Sequence, residues 1–174
     1  MRVHLGCYLF YYMQEKKSTY TLEEAKRSME RYCAYQDRCH QEIEKKLRTM
    51  RMIPEACEII LLHLMEHDFL NEERFSRSFA RGKFRIKQWG RRRIEMELKQ
   101  RDISAYNIKA GLSEISQEEY EKVFEEVSKK RFESVHEPNV FKKRKKVADF
   151  LLRKGFESNK VYEVLRELEK ENNS

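Results

Sequence analysis

Two histidines four residues apart bracket the segment His63-Leu-Met-Glu-His67. On a helix, side chains at i and i+4 share a face, so two imidazoles there can hold a divalent metal beside a glutamate base. The surroundings argue against that chemistry. Ile60, Leu64 and Met65 are apolar neighbours, and no distinctive third-ligand motif follows. Cys33, Cys39 and His40 lack a convincing fourth zinc ligand, and none of the four cysteines (Cys7 and Cys57 complete the set) forms a Cys-x-x-Cys pair. Reduced thiols of a cytosolic protein are the plain reading. The chain carries no Gly-x-x-x-x-Gly-Lys phosphate loop and no evident Ser/His/Asp set. No catalytic residue, metal or cofactor is expected.

Charge points elsewhere. The net charge is +7, yet the 28 residues from Arg74 to Arg101 hold eleven Lys or Arg against two carboxylates, Glu95 and Glu97. A patch of one sign is a contact surface for a polyanion, or for a partner that itself holds one. The candidate binding residues are Arg74, Arg77, Arg81, Lys83, Arg85, Lys87, Arg91, Arg92 and Arg93. The last three fall in the first turn of a predicted helix, where cations oppose the helix dipole at a cost of roughly 0.3–1 kcal/mol each. A local violation of this kind hints at function. Trp89 can stack on a base or pack the turn between two helices; the second reading is preferred. Lys142-Lys143-Arg144-Lys145-Lys146 is a second basic run, either a solvated helix face or a phosphate track.

The elements that must position these residues read as helices almost throughout. With 174 residues, 39% charged, and only five glycines and two prolines, the composition suits long amphipathic helices, not a sheet. Thr21-x-x-Glu24 and Ser116-x-x-Glu119 are capping boxes, Pro54 suits a first helical turn, and Asn71, Ser104 and Ser158 are predicted N-caps. A helix is expected over 37–50 with Ile43 and Leu47 inward, and the helix after Pro54 is expected to carry Ile60, Leu64 and Phe69 to a core. After Asn71, one apolar stripe is expected through Phe75, Phe79 and Ile86, with Arg74, Arg77, Arg81 and Arg85 down an adjacent face. Gly90 precedes a helix with Ile94 and Leu98 inward. The helix from Ser104 carries Ile108, Leu112 and Ile115. A helix after Pro138 is expected to bury Phe141, Val147, Phe150 and Leu151, and Gly155 to end it.

The pattern repeats. Ile43-x-x-x-Leu47 followed by Met52 aligns with Ile94-x-x-x-Leu98 and Ile103, and with Val147-x-x-x-Leu151 and Phe156; the intervals are 51 residues from Leu47 to Leu98 and 53 from Leu98 to Leu151. A unit of about 50 residues buries little alone, so neighbours must stack. The expected fold is all-α: three tandem three-helix repeats, over 21–70, 71–116 (the basic one) and 117–174, in an elongated, curved, right-angled, solenoid-like stack. Residues 1–20 read as a poorly ordered extension that is a poor match to a signal peptide, with Met13 a candidate start and no membrane span expected.

Three elements carry a resemblance. Leu70-Asn71-Glu72-Glu73-Arg74-Phe75-Ser76-Arg77-Ser78-Phe79-Ala80 resembles the Leu-Asp-Asp-x-x-Phe-Ala-x-x-Phe opening of the RecX family. Trp89-Gly90-x-x-x-Ile94-x-x-x-Leu98-x-x-x-x-Ile103 resembles its Gly-x-x-x-Ile-x-x-x-Leu-x-x-x-Gly-Ile element, and Leu151-x-x-x-Gly155-Phe156 its third-repeat Leu-x-x-x-Gly-Phe. Arg51 and Asp102 depart from it, standing where glycine is usual. The resemblance implies a non-enzymatic, cytoplasmic, monomeric regulator that binds RecA and lies in the groove of the RecA–single-stranded DNA filament, with direct DNA contact possible. It implies restraint of the filament's ATPase, strand exchange and co-protease activity. An independent nucleic-acid-binding helical protein is the alternative, weakened because the helix from Ser104 offers only Asn107 and Lys109 as base readers.

Overall fold

In a computed structural model of the chain, residues 20–171 are described, and among them every regular element is a helix. The expected poorly ordered extension, with Met13 as a candidate start, lies outside these residues except for Tyr20. The order is α1 (Leu22–Tyr35), α2 (His40–Thr49), α3 (Pro54–Glu66), α4 (Glu72–Lys87), α5 (Arg91–Lys99), α6 (Ala105–Leu112), α7 (Gln117–Ser134), α8 (Val140–Lys154) and α9 (Ser158–Glu171). Two compact units divide between Leu70 and Asn71.

The first unit is α1–α3. Thr21 Oγ1 accepts the Glu24 N–H at 3.2 Å and Glu24 Oε2 accepts the Thr21 N–H at 3.1 Å, so the capping box closes both ways. Ala25, Met29, Cys33, Ile43, Leu47, Ile60, Leu64 and Leu70 form its core. The second helix starts at His40, three residues later than expected, with Cys39 in the N-cap position. Phe69 joins this core from the loop after α3, not from the helix.

The second unit holds α4–α9. Asn71, Ser104 and Ser116 cap their helices through side-chain oxygens, as read from sequence. Ser158 does not: it is the first residue of α9, with Glu157 before it. The α4 stripe also differs from expectation. Phe75 is buried but Ile86 is 77% exposed, and the inward residues at the far end are Ala80 and Phe84. Phe84 lies nine residues after Phe75, about 180° round the helix. The helix outruns its own bundle, and its second half meets a new neighbour: Phe84 stacks on Tyr120 of α7 at 5.9 Å, and Phe156 continues the aromatic line from Tyr120 at 5.8 Å. Burying each such ring contributes about 1.5–3 kcal/mol. Phe141, expected inward, is 81% exposed at the start of α8.

Small residues bring α4 and α6 together. Ser76 and Ala80 are fully buried, and a Cβ on Gly111 would stand 2.7 Å from the Ser76 carbonyl. The buried Ser76 hydroxyl donates to the Glu72 carbonyl at 2.8 Å, so it costs no unpaired donor.

One turn occurs three times. After α2, α5 and α8 the chain passes through a left-handed residue, Arg51 (φ 58), Asp102 (φ 57) and Gly155 (φ 90). The next residue then donates back to the helix: Met52 to Leu47, Ile103 to Leu98, and Phe156 to Leu151, each at 3.2 Å. This is the helix-ending bond of a left-handed cap, and its partners are the three pairs that align in sequence. Arg51 and Asp102, where glycine is usual, keep the same shape.

Candidate binding surface

The nine candidate residues do not form one surface. On α4, residues 74, 77, 81 and 85 share a face, and it is met by Glu73 of the same helix, Glu114 of the loop from α6 to α7 and Glu119 of α7. Arg77 donates through Nε and Nη2 to Glu73 Oε1 at 3.0 and 2.8 Å, and through Nη1 to Glu114 Oε1 at 2.6 Å. Arg81 Nη1 takes the other Glu114 oxygen at 2.7 Å. Arg85 grips Glu119 at 2.9 Å, which draws that carboxylate from the reciprocal half of the Ser116 box. Arg81 and Arg77 hold the Glu114 carboxyl below its usual range, and Glu73 and Glu114 push Arg77 above its own. Arg74 is half-buried in the first turn. This face is matched in charge from within the fold.

Lys83 and Lys87 project from the other side of α4, toward the start of α5 and the end of α8. There the N–H of Gly90 donates to the Lys154 carbonyl at 2.7 Å and that of Arg92 to the Gly155 carbonyl at 3.2 Å. The positive end of α5 thus meets the negative end of α8. The approach requires glycine, since a Cβ on Gly90 would lie 2.2 Å from the Gly155 oxygen. The same meeting offsets the cost of three arginines in the first turn of α5. Arg93 Nη1 donates to the Arg153 carbonyl at 3.0 Å, and Arg91 Nη2 to the Ile115 carbonyl at 2.9 Å. Arg91 thus ties α5 to the loop between α6 and α7, and Arg93 caps the end of α8. Lys154 Nζ does likewise, donating to the Lys87 carbonyl at 2.7 Å.

Trp89 sits half-buried in this turn, with the Arg93 guanidinium 4.0 Å and the Lys83 ammonium 5.1 Å from its ring centre. Lys87, Arg92 and Arg153 are exposed. Among the described residues, none of Lys83, Lys87, Arg92, Arg93, Arg153 and Lys154 forms an ion pair. Burial, then Arg93 and Lys87, push the Lys154 ammonium below its usual range. A cleft of about 440 Å³ opens between Arg92, Arg93, Met96 and Arg153; Glu97 on its edge pairs with Arg101 at 2.9 Å. The sequence reading missed Arg153 and Lys154. Their only signal is their place just before Gly155, and what that faces is a tertiary matter.

The remaining motifs have local partners. His63 Nε2 lies 2.7 Å from Glu30 Oε1, tying α3 to α1, and His67 Nδ1 lies 2.9 Å from the His63 carbonyl oxygen. In the second basic run, Lys146 pairs with Glu137 at 2.6 Å and Lys143 lies over the Phe132 ring at 4.0 Å, while Lys142 and Lys145 are exposed. No helix among the described residues is long and apolar enough to cross a membrane.

Three-helix repeats, each with a left-handed turn after its middle helix, and a cationic junction between two of them define an all-α repeat protein. Residues 71–112 match the family model for the second three-helix domain of RecX, and residues 117–165 that for the third. The chain is 29% identical over 136 residues to a regulatory protein RecX from Clostridium acetobutylicum, covering 76% of this chain and 63% of that protein. It is 26% identical to one from Bacillus cytotoxicus, covering 80% and 52%. Among solved structures, a regulatory protein RecX aligns with a TM-score of 0.75 at 25% identity, over 84% of this chain and 73% of that one. RecX from Lactobacillus salivarius aligns with a TM-score of 0.71 at 20% identity, over 85% and 96%. The chain belongs to the RecX family. It spans under two thirds of the length of the curated relatives named here.

Proposed function

We propose that this chain is a non-enzymatic regulator that binds RecA and the RecA–single-stranded DNA filament. In this reading it restrains the filament's ATP hydrolysis, strand exchange and co-protease action in recombination, DNA repair and the SOS response, acting as a cytoplasmic monomer. Family membership supports the partner. The observation that carries the mode of action is the junction of α4, α5 and α8, where cations unmatched by carboxylates are held on a glycine-tight backbone contact. A surface of that kind needs an anionic partner to complete it. Nothing in it resembles a nucleophile with its base, so regulation proceeds by occupancy.

The test is RecA-dependent ATP hydrolysis on single-stranded DNA, with and without the protein. Sub-stoichiometric protein is expected to lower the rate. An unchanged rate, together with tight coating of naked DNA at physiological salt, rejects this reading in favour of an independent nucleic-acid binder.

A further inference from the structure

We infer that the junction cations, and not the arginine face of α4, form a site for a phosphodiester backbone, and that Arg153 and Lys154 of the third repeat belong to it. The inference rests on the regulator reading above and adds where the chain binds and to what chemistry.

Two features separate this set from the rest of the surface. Arg77, Arg81 and Arg85 spend their donors on Glu73, Glu114 and Glu119. The junction set spends its donors on carbonyls, and only in part. Lys154 commits one of three ammonium donors to Lys87, and Arg93 one of five guanidinium donors to Arg153. Those bonds fix both cations in place while leaving donors without acceptors, as preorganisation requires. The acceptor they fit is a phosphate, whose oxygens take guanidinium and ammonium donors together.

The second feature is sign. A folded partner offers carboxylates interspersed with cations, and so suits a surface that mixes signs, as the α4 face does. A nucleic-acid strand offers one negative charge per nucleotide in a line with none of opposite sign. Six cations from three helix ends and their connecting turn, without a paired acid among the described residues, match the second kind of partner. Trp89 among them adds the aromatic element usual in single-strand sites.

Lys87, Arg92 and Arg153 are exposed, and their side chains make no bond between helices; the bonds there run through their backbone groups, which substitution keeps, so K87Q/R92Q/R153Q is expected to fold with wild-type thermal stability. The experiment measures binding of the full chain to a fluorescein-labelled oligothymidylate across a salt series, with RecA ATPase inhibition measured in parallel. Each phosphate contact on a single strand contributes about 0.7 to the slope of log affinity against log salt. The triple variant is expected to flatten that slope by about 2, with each single variant contributing about a third of the change. R85Q is expected to leave the slope unchanged. The inference is overturned if the triple variant keeps the wild-type slope, or if R85Q flattens it as much. Lost RecA inhibition with oligothymidylate binding intact also overturns it, by assigning the cluster to an acidic protein surface. If the slope flattens as stated while the wild type leaves RecA untouched, the site stands and the regulator reading falls.

Discussion

The two sides of α4 carry the same sign of charge, arginines on one and lysines on the other, and reach opposite outcomes. One side meets Glu114 and Glu119 from the α6–α7 region, and its arginines become ties between helices. The other side meets the end of α8, where backbone carbonyls orient the cations without matching their charge. A count of basic residues therefore measures how basic a segment is, not how much of that charge is offered to a partner. What decides availability is the element that folds against each side.

The sharpest way to break the comparison is to open the junction. Gly90→Ala would place a Cβ within 2.2 Å of the Gly155 oxygen and 2.5 Å of the Phe156 nitrogen, both backbone atoms that cannot step aside. It is expected to cost about 3 kcal/mol in urea unfolding, and to weaken oligothymidylate binding although no cation is removed. Wild-type stability in this variant would show that α5 and α8 are not held together, and the cations would then lose their fixed positions.

A smaller effect compares the three left-handed turns. Gly155 is required twice, by its φ of 90 and by Arg93, whose Cβ would lie 2.4 Å from an added Cβ. Arg51 and Asp102 adopt the same turn with side chains that the left-handed region disfavours. Arg51→Gly is expected to raise the unfolding free energy by about 0.5–1 kcal/mol, and Asp102→Gly by about half as much, since a short polar side chain tolerates that region better. Equal losses from both changes would mean that the side chains contribute contacts outweighing the backbone strain.

Local rules explain what was legible in the sequence. Thr21, Asn71, Ser104 and Ser116 were readable as caps because a cap depends on residues within one turn. The alignment of Leu47, Leu98 and Leu151 marked the repeated turn because each pairs with a residue only five positions on. Ile86 and Phe141 were misplaced for the opposite reason: periodicity says which residues share a face, and the neighbour that covers the face decides whether it is buried. Arg153 and Lys154 were missed on the same ground. The dipole conflict at Arg91, Arg92 and Arg93 was visible in sequence, but the carbonyls that offset it come from more than twenty residues away.

The smallest expected effect tests the matched side directly. Arg81 and Arg77 lower the Glu114 pKa from its ordinary 4.5. A carboxyl with a depressed folded-state pKa stabilises the fold above its unfolded value, and that stabilisation is lost as pH falls through the folded value. Glu114→Gln is therefore expected to be modestly less stable than wild type near neutral pH, the effect being limited because its partners are half-exposed. The gap should close as the pH falls through the depressed folded-state value and the wild-type carboxyl takes up its proton. Urea midpoints across that range measure it. K87Q/R92Q/R153Q serves as the counterpart, and its midpoint should track the wild type at every pH, because no carboxylate pairs with those cations among the described residues. An acid-dependent gap in that variant would place a carboxylate opposite the junction, and the distinction between the two sides of α4 would be lost.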